Sequence, residues 1–367
     1  MFFFDGRRFG LFPVVKFTSG FGASLGVRMV HNDLFRNGGR LDASLLYGAN
    51  YGERLGLAVD SGWLGASRMR VGATVEYRVV PGDRFFGIGN ADLQSAPDDP
   101  IDPLRRDAAV STRFTHRYVR VGPIATARLA PPLDLSLSVT FAHRDFSPPE
   151  RAAGDPGTAS VFEPRGLVGY EQGVDNVYGQ LWLSVDTRRR RGSSRLTSSG
   201  WHAAAFAGYT LGLPGDPSRF GRLGLDVQRF IDLWGGNRVL MVRLVGDSVL
   251  APMSRIPFVD LPTIGGPYAL RGHARARFRD RIAAYATAEY VWEIEHRLAG
   301  FLFVDTGRVW STPAELTLRH LRLGYGGGIQ LHSRVGYIAR LQIASSLEGG
   351  VHVNFNFSPP DILRDPR

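Results

Sequence analysis

The chain has 367 residues, 45 of them glycine, with no cysteine and a formal net charge of +10. Its mean hydropathy is -0.10, and no run approaches the roughly 18 apolar residues of a spanning helix, which excludes a helical membrane protein. The missing cysteines exclude disulfides and thiolate metal sites. The positive charge rests on arginine, Lys16 being the only lysine, and is spread along the chain rather than gathered as a nucleic-acid-binding face.

Met1 opens MFFFDGRRFG, which lacks the apolar core and small-residue cleavage site of a secretory leader. For an exported chain this predicts a start that was trimmed or a reading frame that begins upstream. The first strand, near residues 11–19, contains Pro13, which has no N–H to give to a sheet ladder, and Gly20, Gly22 and Gly26 follow it. Pairing on the open side of that strand is expected to be weak. Proline at a strand start is also ordinary, and both readings stay open here.

From there a two-residue period dominates. Leu133, Leu135, Leu137, Val139 and Phe141 alternate with Asp134, Ser136, Ser138 and Thr140, and Val177, Leu181, Leu183 and Val185 alternate with Tyr178, Gln180, Ser184 and Asp186. Such segments read as strands with one apolar and one wet face. About sixteen are predicted, near 11–19, 22–31, 39–49, 52–61, 68–79, 110–128, 133–144, 176–187, 201–212, 220–231, 238–248, 282–294, 298–306, 320–332, 335–344 and 350–357. The sixth is long enough to be split. Long connections at 80–109, 146–175, 249–281 and 307–319 interleave with short turns, as in barrels with long outer loops and short periplasmic turns.

A soluble all-β domain shows some of this alternation as well. Against it, the chain has no linker, no break in composition and no helical period, and a single sheet of this length must close to remove its edges. The predicted fold is therefore all-β, a transmembrane antiparallel β-barrel over residues 1–357 with a long loop folded into the lumen. Residues 358–367 form a short extension.

The stretch 263–305 is the most informative. The loop TIGGPYALRGHARARFRD leads into IAAYATAEYVWEI and then FLFVDTG. In the first strand Ile282, Ala284, Ala286, Ala288, Tyr290, Trp292 and Ile294 share a face, which leaves Thr287, Glu289 and Glu293 pointing inward. Parity also turns Asp305 inward, opposite Leu302 and Val304, where Arg271 from the loop can reach it. Glu289 and Glu293 are secondary partners. An ordinary glycine turn in a solvated loop is the alternative for Arg271 and Gly272, and Asp305 downstream favours the ion pair. Gly324, Gly326 and Gly328 share the inner face of a later strand, where missing side chains let a loop tip approach the wall.

These residues carry a resemblance to the barrel of the BamA/TamA-like superfamily, the bacterial surface antigen family, over essentially the whole chain. Its members have a sixth outer loop with a V/I/L-R-G-F/Y tip, matched here by Leu270, Arg271, Gly272 and His273, where His273 departs from the usual aromatic. Phe303, Val304, Asp305, Thr306 and Gly307 match the family's F-x-D-x-G strand, and FFGIGN at 85–90 is a weaker match. The last strand, with Val351, Val353, Phe355 and Phe357, resembles the terminal recognition strand of outer-membrane barrels, although SPPDILRDPR with Pro359 and Pro360 follows it.

The resemblance implies an integral protein of the bacterial outer membrane that inserts or assembles outer-membrane proteins or translocates secreted ones. It would act through a lateral seam between first and last strands, with the arginine loop holding the barrel. Implied partners are outer-membrane lipids, client outer-membrane or secreted proteins, and periplasmic polypeptide-transport-associated (POTRA) domains supplied upstream or by a partner. The alternative is a stand-alone channel or the membrane anchor of a detached passenger. No cofactor and no catalytic function is expected: G-x-S-x-G, phosphate-loop and H-E-x-x-H motifs are missing, and His31, His116, His143 and His202 are scattered. Asp98, Asp99 and Asp102 read as an acidic solvated loop rather than a calcium site.

Overall fold

The structure is a computed structural model that describes residues 2–4, 8–34, 38–191, 194–332 and 337–357. Sixteen antiparallel strands form one closed barrel. They are β1 Phe9–Thr18, β2 Gly22–Leu34, β3 Gly39–Gly48, β4 Gly52–Asp60, β5 Met69–Phe85, β6 Thr112–Ala130, β7 Leu133–Ser147 and β8 Val174–Asp186, then β9 Gly200–Gly212, β10 Arg219–Trp234, β11 Arg238–Leu250, β12 Ile282–Glu295, β13 Leu298–Trp310, β14 Arg322–His332, β15 Tyr337–Ser346 and β16 Val351–Phe357. Each pairs with its neighbours in chain order, and β16 returns to β1.

The cause is the period-two pattern, which gives every strand two unlike faces. On β13, Leu302 is 57% exposed and Val304 49%, whereas Phe303 and Asp305, which alternate with them, are buried at 3% and 1%. Strands near the long loops run further than alternation alone indicated. β5 continues to Phe85 and β13 to Trp310, and the 19-residue β6 is a single unbroken strand. The bulge between Val80 and Asp83 lets β5 bend and keep pairing with β6.

At one end of the barrel the long loops pack into a cap. Phe85, Ile88, Phe114, Phe162, Tyr170 and Phe258 form its buried core, with Phe146 and Phe258 rings 4.9 Å apart and Phe114 and Phe258 5.3 Å apart. The tip near Asp98, Asp99 and Asp102 stays in solvent. At the opposite end the connections 131–132, 235–237 and 296–297 are turns of two or three residues, but 187–199 is longer and folds back on itself, with Arg189 N–H donating to the Ser199 carbonyl at 2.8 Å. Its Leu196 is buried against Val291, Phe301 and Phe303 of the inner wall.

The closure between β1 and β16 is short. Among the described residues, β1 pairs with β2 over Phe9 to Thr18, whereas its other edge meets β16 from Val15, opposite Phe357, to Thr18, opposite Asn354. Just beyond, Ser19 and Val353 exchange hydrogen bonds through the serine hydroxyl and backbone. Phe2–Phe4 pairs with Phe9 to Leu11, and since β2 occupies the other edge, this segment lies on the seam edge of β1, above its described pairing with β16. The extension 358–367, with Pro359 and Pro360, lies outside the described residues, as does the turn at 333–336.

Candidate functional site

Between β11 and β12, residues 251–281 form a finger against the inner wall. A two-stranded ribbon, Thr263–Ile264 with Phe278–Arg279, pinches its base. At the tip Leu270 and Gly272 both take positive φ, at 50° and 90°. The strained Leu270 is held because it is fully buried with Ile264, Phe278, Tyr285 and Val309. Reversing the chain here aims Arg271 at β13.

Arg271 binds Asp305 as a fork. Its Nε donates to Oδ2 and its Nη2 to Oδ1, each at 2.7 Å, and its backbone N–H donates to Oδ2 at 2.8 Å. Its Nη1 reaches Glu289 Oε2 at 2.7 Å. Glu289 is shared, for Arg340 on β15 donates to both its oxygens, at 2.7 and 3.2 Å. The two guanidiniums stack on neighbouring rings, Arg271 3.5 Å from the Phe303 centroid and Arg340 3.8 Å from Phe301. Burial alone would lower the Arg271 guanidinium, but Asp305 and Glu289 hold it above its usual value. Two cations and two carboxylates thus neutralise each other in a water-poor site, with two-toothed geometry that a point charge does not match.

Glu293 stands apart from this group. Four residues along a strand carry it about 13 Å from Glu289, beyond the reach of Arg271. One of its oxygens is buried with no hydrogen-bond partner among the described residues. Of the three inner glycines, only Gly324 meets the finger, because a β-carbon there would lie 1.7 Å from the Arg271 carbonyl. Gly326 and Gly328 lie under the Phe303 and Phe301 rings and against the β15 backbone. Gly272 presses on the Ser345 carbonyl, 2.1 Å from where its β-carbon would be.

A second polar group anchors the finger to the turn between β15 and β16. His273 Nδ1 lies 3.1 Å from Glu348 Oε2, and Arg277 donates to both oxygens of Glu348, at 3.2 and 2.8 Å. Burial would raise the Glu348 carboxyl, yet the bond to His273 and the charge of Arg277 hold it below its ordinary value. The departure of His273 from an aromatic thus supplies a polar contact as well as an edge-on packing to Phe278 at 5.1 Å. On β16, Val351 is exposed, Asn354 points inward, and Val353, Phe355 and Phe357 are half-buried.

The Omp85 superfamily domain matches residues 33–358. The chain belongs to the Omp85 superfamily. Among solved structures, BamA from Haemophilus ducreyi lacking POTRA domains 1-3 superposes with a TM-score of 0.65 at 14% identity, covering 95% of this chain and 69% of that one. CdiB from Acinetobacter baumannii and CdiB from Escherichia coli match with TM-scores of 0.55 and 0.57, each at 11% identity and over 95% of this chain. The chain spans 60% and 62% of those two proteins. It matches no curated protein sequence.

Several residues that brace this Omp85 barrel were not evident beforehand. Arg340 has inward parity, but its partner lies three strands away, and no local spacing announces that. Glu348 lies in a turn that offered no pattern. Asn90, the last residue of FFGIGN, clamps the β13 edge, giving Nδ2 to the Val309 carbonyl at 2.7 Å and accepting from the Val309 N–H at 3.1 Å. Gly89 N–H donates to the Arg279 carbonyl at 2.8 Å, so this short motif ties the cap to the base of the finger.

Proposed function

We propose that this chain works in the bacterial outer membrane, inserting or assembling outer-membrane proteins or translocating proteins, with the β1–β16 closure as the place where client strands pair. Membership of the superfamily and the likeness to BamA and CdiB support the insertion or translocation class. The outward faces favour a lipid setting. Leu25, Leu45, Leu137, Leu302 and Ile343 are all more than half exposed, and a girdle of such residues around a barrel is costly in water and satisfied by acyl chains.

The observation that carries the seam reading is the short β1–β16 ladder beside the long β1–β2 ladder. A closing ladder of four residue pairs has few hydrogen bonds to break before the β1 edge can act as a template for another strand. Pro13 contributes to it, since its missing N–H falls on the seam edge above Val15. In this reading the Arg271, Asp305 and Glu289 lock holds the finger and the wall in register while the seam opens, and β16 with Val351, Val353, Phe355 and Phe357 is the strand that lets go.

The test is reconstitution. Liposomes that contain the refolded chain should accelerate folding of a second, unfolded outer-membrane barrel relative to empty liposomes. Equal rates would sink the insertion reading for this chain acting alone and would favour a channel or passenger anchor.

A further inference from the structure

Inside the barrel, beneath the finger, lies a cavity of about 720 Å³ walled by β1 to β11, β15 and β16. Ten arginine and lysine side chains line it against five carboxylates. Four of those carboxylates have their own arginine: Asp42 binds Arg28 at 2.8 Å, Glu76 binds Arg54 at 2.6 Å, Asp260 binds Arg144 at 2.6 Å and Asp247 binds Arg222 at 2.9 Å. Asp83 is the fifth. It lies 3.7 Å from His116 and interacts electrostatically with Arg78 and Arg275, and Arg279 feels its charge in turn.

Three guanidiniums therefore share one cavity wall with Asp83, and among the described residues none of Arg78, Arg275 and Arg279 has a carboxylate within ion-pair distance. The Nε atoms of Arg78 and Arg279 and the Nε2 of His116 are buried without a hydrogen-bond partner. Arg279, on the finger and 5% exposed, is pushed down to about 10 by burial, with the charges of Asp83 and Asp260 compensating only in part. Cations in excess of carboxylates around one cavity, with the buried Nε donors of Arg78 and Arg279 left without a partner, make a site for an anion rather than a passive lining.

We infer that the lumen binds a small phosphate-class dianion between Arg78, Arg275 and Arg279. Phosphate supplies the two charges that Asp83 leaves uncompensated, and its oxygens accept from guanidinium forks. A free ion or phosphate monoester is the fitting source, because the strand wall separates the cavity from acyl chains and lipid headgroups. Arg275 and Arg279 belong to the finger and Arg78 to β5, so the bound anion bridges finger to wall on the side away from Asp305. This inference does not depend on what the barrel does for other proteins.

The test is heat denaturation of the refolded full chain in detergent, in millimolar inorganic phosphate against chloride of equal ionic strength. Phosphate should raise the midpoint by several degrees more than chloride, since a ligand that binds only the folded state stabilises it. Arg275→Gln, at a half-exposed finger position, should raise the phosphate concentration needed for half that shift by roughly tenfold. Asp83→Asn should act in the opposite sense and lower it. The inference is overturned if phosphate and chloride act alike, if Arg275→Gln responds like the parent, or if Asp83→Asn weakens the response.

Discussion

The carbonyl oxygen of Arg271 occupies the place where Gly324 would carry a β-carbon, 1.7 Å away. The finger thus meets the wall through backbone as well as through charge, and the wall is bare at that point. Gly324→Ala should push the finger off β14 and weaken the Arg271 fork with it. Its heat resistance in detergent is expected to fall about as far as that of Arg271→Ala. Gly179→Ala is the control, because a β-carbon there meets nothing within 4 Å, and it should be neutral. Parent-like stability of Gly324→Ala would show that the finger does not need this approach.

Arg271→Ala leaves Asp305 buried with one backbone donor, and Asp305→Ala leaves Arg271 with Glu289 alone. Each should cost on the order of 3–5 kcal/mol, the usual penalty for stranding one member of a buried pair. The double variant should be little worse than either single, and a thermal double-mutant cycle measures this. Arg271→Lys should fall close to the alanine variant, since a point charge cannot make the two-toothed contact with Asp305. Losses that add would mean the two residues act separately.

How far this arrangement could be read beforehand depends on the distance between partners. Alternation fixes which way Asp305, Glu289 and Gly324 point, because strand parity is a local property, and it places the sixteen strands. It does not show which inward residue meets which. Arg340 meets Glu289 across β13 and β14, and Leu196 swings from a turn on to Phe301 and Phe303, contacts decided by closure of the barrel. Glu293 has the same parity as Glu289 yet lies too far along the strand, a difference set by where the finger tip lands. Alternation does not mark strand ends where the ladder continues into the cap, since β5 to Phe85 and β13 to Trp310 are held by partners rather than by their own pattern.

The Glu348 anchor makes the finger sensitive to acid. Its carboxyl is held below the ordinary value of 4.5 in the folded barrel, against burial, by His273 and Arg277. A depressed carboxylate contributes stability above its unfolded value and loses it as pH falls through the folded value. Glu348→Gln should therefore melt below the parent at neutral pH, and the difference should shrink as pH drops beneath about 4.5, the Glu348 value without such partners. A gap that stays constant down to strongly acid pH would assign the effect to shape and not to charge.

Leu196 tests the other end of the barrel. It is 4% exposed and packs on the inner wall although it belongs to a turn carrying Arg188, Arg189, Arg190, Arg191 and Arg195. Leu196→Ala removes most of a buried side chain and should cost about 2–5 kcal/mol if the cavity does not collapse. Leu196→Asp should expel the turn from the wall. In planar bilayers that variant should show larger and more frequent openings than the parent, because that end of the lumen loses the turn packed against its wall. Unchanged conductance would mean that the cap at the far end alone closes the barrel.

The seam can be closed on purpose. Lys16 and Asn356 face each other across β1 and β16, in a position between the hydrogen-bonded pairs where β-carbons approach most closely. The natural chain has no cysteine, so Lys16→Cys with Asn356→Cys introduces a single possible disulfide. Oxidation should raise heat resistance by joining the weakest ladder. If clients pair at this edge, oxidised barrels in liposomes should lose the acceleration of client folding and regain it on reduction, with each single-cysteine variant active throughout. Oxidised barrels that stay fully active would move client contact away from the β1–β16 edge and leave the barrel's outer rim or its lumen as the working surface.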